Sequence, residues 1–471
     1  MRGKVGRAAL VAVVAAAVAA CSAAGAPPKG TSGLVTLPGV YPPRLTVTHA
    51  AHGVSPGYVF VAEKKSGSPG GPVIADNTGR VVWFHPVPSP DQATDFRVQT
   101  YRGKRVLTWW QGTINVAGVG KGEGVIMDSS YRVVALVHAA NGLQADLHEF
   151  ELTPRGTAYV TAYKEVHADL RSVGGPKDGW VLDSYVQEID VRTGKLVFQW
   201  HAFGNVPLSD SREANQEPAK DATKKRPLDY FHVNSIADGP NGTVFISGRN
   251  TSTLYDLSRT GKIVWQLGGK HSDFGPPSAV KLNYQHNARL HPGGLLTVFD
   301  NGAIPKSEPY TRPLEMKLDF AKKTAKIVKS FVHPAKLLSP YEGDLQLLPN
   351  GGAFVGWGGI RRVSEFSSSG KLVFEMKLPY GDTYRGFRFM WTGRPATPPL
   401  AKVQGSIVYA SWNGRTGIAR WQVLSGGKMI RSVPWAGLET AIKLPSSHND
   451  VRVRALDASG RVLGVASAGC S

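Results

Sequence analysis

Three histidines stand at one register of three separated hairpins. His148 in DLHEFELTPRGTAYVTAY, His232 in DYFHVNSIADGPNGTVFISGRN and His286 in YQHNARLHPGGLLTVFDNG each precede a turn glycine, Gly156, Gly242 and Gly294, by a similar distance. A fourth copy, YEGDLQLLPNGGAFVGWG, carries Glu342, Gly343 and Asp344 in that zone before Gly351. A neutral imidazole is a nucleophile, and its pKa near working pH makes it a general acid or base. Three imidazoles also match the ligand set of a catalytic zinc ion. Arg249 and Asn234, in the middle hairpin, would be odd neighbours for a cation. A guanidinium instead grips an anionic group through paired hydrogen bonds. The residue types therefore favour an anionic substrate and no metal. Any one of these histidines alone would be read as packing or capping its own strand; the shared register argues for a shared site.

Distant hairpins can bring their rings together only if the elements carrying them repeat around an axis. A unit of turn, basic residue and two aliphatics recurs in NTGRVVWFHP, SSYRVVALVH, RTGKLVFQWH, RTGKIVWQLGG, KTAKIVKSFVH and SSGKLVFEMKLP. The second aliphatics are Val82, Val134, Val197, Val264, Val328 and Val373. Strands and turn glycines precede each unit, so the chain reads as a sheet of three or four antiparallel strands made six times. No helical period persists. The fold class expected is all-β: a six-bladed β-propeller, whose sheets bury both faces against their neighbours, over residues 40–399. A β-helix has a shorter period, and an irregular sandwich is the remaining alternative. After the Pro-rich YRGFRFMWTGRPATPP the pattern becomes GSIVYASWNGRTGIARWQVLSGG and DVRVRALDASGRVLGVA. Residues 400–471 are therefore expected to form a small β-sandwich resembling a fibronectin-III domain.

The first twenty residues carry a basic start, MRGKVGR, and a short apolar run, AALVAVVAAAVAA, as a signal peptide does. Val18-Ala19-Ala20-Cys21 has the form of a lipobox, which predicts lipidation of Cys21 and an extracytoplasmic protein anchored to the cell membrane. Residues 21–39 then read as a lipidated start and flexible tether. The other cysteine, Cys470, is penultimate, so neither a disulfide within a lipidated chain nor a catalytic cysteine is expected. A net charge of +20 suits anionic partners. Nucleic acid is not expected among them, because the basic residues are dispersed and no nucleic-acid motif is present.

The motifs DLHEF, DYFHVNS, SGRNTSTLYDL, GKIVWQLGG, YQHNAR, FDNG and WNGRTG resemble those of the bacterial arylsulfotransferases, particularly an actinobacterial lipoprotein-like branch, over roughly residues 40–425. The resemblance implies a six-bladed propeller that moves a sulfuryl group from an aryl sulfate ester to a phenol. It implies ping-pong chemistry, a sulfo-histidine intermediate and no cofactor or nucleotide donor. By motif order it implies His286 as nucleophile, His232 and Asn234 as the HVN pair, Arg249 as the arginine and His148 as the first histidine.

Such a transfer passes through a loose transition state, so positioning and charge balance dominate. Arg249 and Asn234 would hold sulfuryl oxygens, and His148 or His232 would exchange the phenolic proton. Trp110 in TWWQG, with Tyr230 and Phe231, offers aromatic walls. Glu149 is expected to bind a turn, and Arg289 either to assist the anion or to form an ion pair between blades. A sulfate or phosphate ester hydrolase, and a non-catalytic propeller binding anionic ligands, are the competing functions.

Overall fold

The computed structural model describes residues 31–64, 70–115, 117–275, 280–448 and 450–470. The signal segment, Cys21 and residues 22–30 of the tether lie outside the described residues. Turn glycines and β-branched runs give an all-β chain built largely of four-stranded antiparallel sheets, with one short α-helix among the described residues, Glu217–Lys220.

Six such sheets follow one another. The second contains Gln92–Tyr101, Lys104–Ile114, Gly120–Met127 and Val133–Val137; the third Asp146–Leu152, Thr157–Ala168, Gly179–Asp190 and Leu196–His201. The fourth contains Val233–Asp238, Val244–Gly248, Thr253–Leu257 and Ile263–Gly268; the fifth His286–His291, Leu295–Asp300, Arg312–Asp319 and Thr324–Ser330. The sixth runs from Asp344–Leu347 through Ala353–Gly356 and Arg362–Phe366 to Leu372–Lys377, and Thr46–His49 adds to its far edge. The first sheet is made from both ends of this series: Tyr58–Glu63, Gly71–Ala75 and Val81–Phe84 are completed by Gly386–Phe389.

The leading strands of successive sheets touch in turn, and Gly386–Phe389 touches both Asp344–Leu347 and Gln92–Tyr101. This arrangement is compatible with the expected propeller. The repeated aliphatic unit falls on the last hairpin strand of every sheet, where Val134, Val197, Val264 and Val328 are about half exposed. The core lies between sheets: Tyr159, Val186 and Trp200 of the third pack with Phe231, Ile246 and Tyr255 near or in the fourth. Each large apolar side chain buried there contributes about 1.5–3 kcal/mol.

From Leu400 onward the strands form two further four-stranded sheets. Val408, Ala410 and Ile442 of one share a buried cluster with Trp421, Val423 and Val453 of the other. Asn413 exchanges hydrogen bonds with the backbone of Phe84, giving and accepting at 2.9 and 3.0 Å, and so covers the edge of the first sheet. The tether expectation needs correction over 31–39. Glu439 accepts the backbone N–H of Val35 and Thr36 at 3.0 and 2.7 Å, and Leu34 and Leu37 pack on an apolar cluster. Two paired amides and two covered leucines offset the chain entropy that a free tether would keep.

Candidate active site

The leading strands are not regular where they meet. Pairing register breaks between Thr94 and Arg97, at the Val160–Thr161 partner of Asp146–Phe150, between Val233 and Ser235, and between His286 and Arg289. An extra residue in one strand bends it and re-aims its side chains. Asp95, His232, Asn287 and Glu342 also hold positive φ, +55°, +56°, +48° and +62°, a conformation that non-glycine residues rarely adopt. Repeated at one end of successive leading strands, these irregularities turn chemical side chains toward one cavity. Its volume is about 460 Å³, in the range of small-molecule sites.

His148, His232, His286 and Arg249 all line this cavity. The Nε2 atoms of His148 and His232 are 3.1 Å apart, with ring centroids at 4.7 Å and planes at 83°. Each Nδ1 donates to a carboxylate at 2.5 Å: His148 to Asp146, His232 to Asp229. With both Nδ1 atoms so engaged, each ring turns its Nε2 toward the other. Burial lowers the pKa of His148, an effect that Asp146 only partly offsets. Burial also opposes ionisation of Asp146, but the His148 ring and the N–H groups of Gly120 and His148 outweigh it and hold its pKa below the usual value.

His286 is differently held. Its Nδ1 lies 2.7 Å from Asn301 Oδ1. Asn301 Nδ2 donates to the carbonyls of Glu342 and Ser339 at 3.0 and 3.3 Å, which sets the amide so that its oxygen faces the ring. The Nδ1 therefore carries the hydrogen, and Nε2 keeps a lone pair that accepts the Glu342 backbone N–H at 3.2 Å. Burial, then repulsion from Arg249, pushes the His286 pKa well below the ordinary histidine value, against the pull of Asn301. This is a neutral, oriented imidazole. Arg249 lies over the Tyr284 ring, 4.9 Å from its centroid, and donates to Asn250 Oδ1 at 2.6 Å. Burial lowers its pKa, and it forms no carboxylate ion pair among the described residues. It is a desolvated cation open to an anion.

Other expected residues are placed differently. Asn234 is fully buried outside the cavity lining, where its Nδ2 donates to Gln285 O at 2.7 Å. It braces the approach to His286 instead of meeting a substrate directly. Trp110, Tyr230 and Phe231 are 1%, 0% and 0% exposed and none lines the cavity. Trp110 donates its indole N–H to Ala145 O, and Phe231 packs on Trp200 and Tyr255. Large aromatics between sheets gain more by burial than by facing a wet cavity, so the expected walls are core. The aromatic ring in the lining is Tyr341, beside Ile114 and Ile304.

Glu149 binds no turn of its own. It accepts from Arg97, Arg289 and Arg385 and from the backbone N–H of Ile236. Arg289 is thereby spent on an ion pair, 2.6 Å long, and is not in the cavity lining. Arg385, fully buried, also pairs with Asp95 at 2.9 Å and donates to the carbonyls of His148 and Asn234, both at 3.1 Å. This network lies directly behind the histidines.

Asp146, Asp229 and Asn301 were missed as site residues. Their signal was present: DLHEF and DYFHVNS carry Asp146 and Asp229 beside His148 and His232, and FDNG places Asn301 at the end of the hairpin that His286 opens. Among the described residues no cluster of three or more His, Cys, Asp or Glu side chains is arranged to hold a metal ion.

A family model described as Arylsulfotransferase (ASST) matches residues 97–378, which include every cavity histidine and Arg249. No curated protein matches the chain. Similar solved structures include a Bacteroides caccae protein of unknown function, at 13% identity over 70% of this chain and 98% of that one, with a TM-score of 0.44. Virginiamycin B lyase from Staphylococcus aureus aligns at 9% identity over 76% and 96%, TM-score 0.30. Regucalcin, a calcium-binding protein from Agrobacterium tumefaciens, aligns at 12% over 66% and 79%, TM-score 0.33. These likenesses are too distant to bear on chemistry.

Proposed function

The chain belongs to the arylsulfotransferase family, and from that premise we propose that it transfers a sulfuryl group from an aryl sulfate donor to a phenolic acceptor through a sulfated His286, at one mouth of a six-bladed β-propeller. The observation that carries this reading is the state of His286: neutral, fixed through Nδ1 by Asn301, in a cavity that it shares with the half-buried Arg249. Arg249 draws the sulfate monoanion into the cavity, where low polarity strengthens the attraction. His286 Nε2 releases the Glu342 N–H that it accepts at rest and attacks sulfur as the aryl oxygen departs, and the covalent intermediate divides one difficult step into two. His148 and His232, fixed through Nδ1 by Asp146 and Asp229, line the same cavity and help to position the transferring group. The acceptor phenol then takes the sulfuryl group and frees His286.

Within the same reading, residues 40–399 are the propeller and residues 400–471 a fibronectin-III-like sandwich. The lipobox at Cys21 supports an extracytoplasmic, membrane-anchored protein. The test is to mix the protein with p-nitrophenyl sulfate in the absence of acceptor and to map any sulfuryl adduct by mass spectrometry. The adduct is expected on the peptide containing His286, with none in His286→Asn, which keeps a polar side chain that cannot attack sulfur. An adduct on His148 or His232 instead would reassign the nucleophile. Steady release of p-nitrophenol without added phenol would mark a hydrolase.

A further inference from the structure

Glu342 occupies, ahead of the sixth sheet, the register that histidines occupy in three others. It lines the same cavity with its side chain 8% exposed. Its backbone is fastened to the nucleophile: the N–H donates to His286 Nε2 at 3.2 Å, and the carbonyl accepts from Asn301 at 3.0 Å. Gly343, at φ +103°, permits this approach, since a Cβ there would lie 2.3 Å from the Phe299 ring. The carboxyl is half committed. Lys64 Nζ binds Oε1, whereas Oε2 is buried without a hydrogen-bond partner among the described residues. An unpaired buried carboxyl oxygen is costly unless something else uses it. The histidines offer no comparable atom, because His148 and His232 direct Nδ1 at carboxylates and Nε2 at each other.

We propose that Glu342 is a further catalytic residue, which gives a proton to the departing aryl oxygen and takes one from the acceptor phenol. This rests on the sulfo-histidine reading above. In the first half, the His286 Nε2–S bond forms and the S–O bond to the aryl group breaks. The aryl oxygen leaves with the electron pair and receives the proton of neutral Glu342. In the second, the acceptor oxygen bonds to sulfur as its proton passes to the Glu342 carboxylate, and the N–S electron pair returns to His286. The cycle ends with Glu342 protonated again, by the proton that the acceptor brought.

A carboxyl can serve both halves only if neither state is strongly disfavoured. Burial and Asp382 raise Glu342 to about 7, and Lys64 limits the rise. The groups facing it are Lys64, Asp382, Tyr341, Tyr384 and the His286 ring. Of these, Lys64 stays charged, its pKa raised by Glu342 and Asp382 against burial.

The experiment uses protein first sulfated by p-nitrophenyl sulfate, then desalted and mixed with phenol or with pentafluorophenol. A nitrophenolate leaves without a proton, so Glu342→Gln should still be labelled on His286. Its transfer to phenol should fall roughly 100-fold, and its transfer to the self-ionising pentafluorophenol should change little. In the wild type, transfer to phenol should decline as pH falls through about 7, where the carboxylate is lost; Glu342→Gln should lack that limb. Should that variant not fold, Lys64→Met removes the cation favouring the carboxylate and should move the limb to higher pH. Phenol transfer at the wild-type rate by labelled Glu342→Gln, or a limb unmoved by Lys64→Met, overturns the proposal and leaves the sulfo-histidine reading intact. A wild type that takes no label on His286 overturns both.

Discussion

His286 differs from His148 and His232 in what its nitrogens meet. Carboxylates bind Nδ1 of the latter pair, and at His148 the carboxylate partly offsets the lowering by burial; a neutral amide binds His286, next to a cation that opposes protonation. Three residues of one type are thereby given two chemical characters by their partners. Arg249 completes the division, because its charge depresses His286 while remaining open to an anion. Arg249→Lys keeps the charge but loses the planar fork. Its kcat/KM for p-nitrophenyl sulfate with phenol should fall about 10- to 100-fold, equivalent to about 1.4–2.7 kcal/mol, without a change in thermal midpoint. A loss of less than about twofold would mean that the guanidinium does not grip the sulfuryl oxygens.

At the scale of elements, the bulged leading strands present backbone carbonyls that regular pairing would have used, and the buried arginines collect them. Arg385 joins the carbonyls of His148 and Asn234 to the carboxylates of Asp95 and Glu149, tying three sheets to the closing strand. Arg385→Met leaves two buried carboxylates short of their counter-charge, and removing one partner of such a network costs about 3–5 kcal/mol. A urea titration should show that loss, together with reduced labelling of His286. Glu149 adds a pH dependence. Burial opposes its ionisation, but Arg289, Arg385 and Arg97 hold its folded pKa below the ordinary carboxylate value. That contribution is complete above the unfolded value of about 4.3 and is lost progressively as pH falls below it. The urea midpoint should drop accordingly on acidification; a midpoint flat down to strongly acidic pH would contradict the linkage.

The whole molecule joins its ends to its middle. The first sheet needs Gly386–Phe389 to be complete, the C-terminal sheets cover its outer edge, and residues 31–37 rest against Glu439. Residues 31–37 therefore run against the C-terminal sheets. If two or more acyl chains attach at Cys21, the protein is held stably on a membrane, whereas one chain would bind only marginally. Cys21→Ala should abolish incorporation of labelled palmitate and move the protein to the soluble fraction. Wild-type protein that takes up no label would end the anchor proposal.

The repeated turn-and-aliphatic unit determined by itself that six sheets follow in series, since alternation and turn glycines act within a few residues of one another. The motif resemblance named the family, and the common register of His148, His232 and His286 was enough to forecast that they meet. Register could not say how each ring is held, because the tautomer of His286 depends on Asn301, whose own orientation depends on carbonyls at Ser339 and Glu342. Nor could composition tell that Trp110, Tyr230 and Phe231 are core while Tyr341 faces the cavity, for an aromatic ring serves either place and only packing between sheets decides. Asn234 and Arg289 were turned away from the cavity by partners on other strands, Gln285 O and Glu149. Local pattern determined which elements form and where the chemistry gathers. The bulges and the ion pairs between sheets, which join residues far apart in the chain, were decided only when the sheets came together.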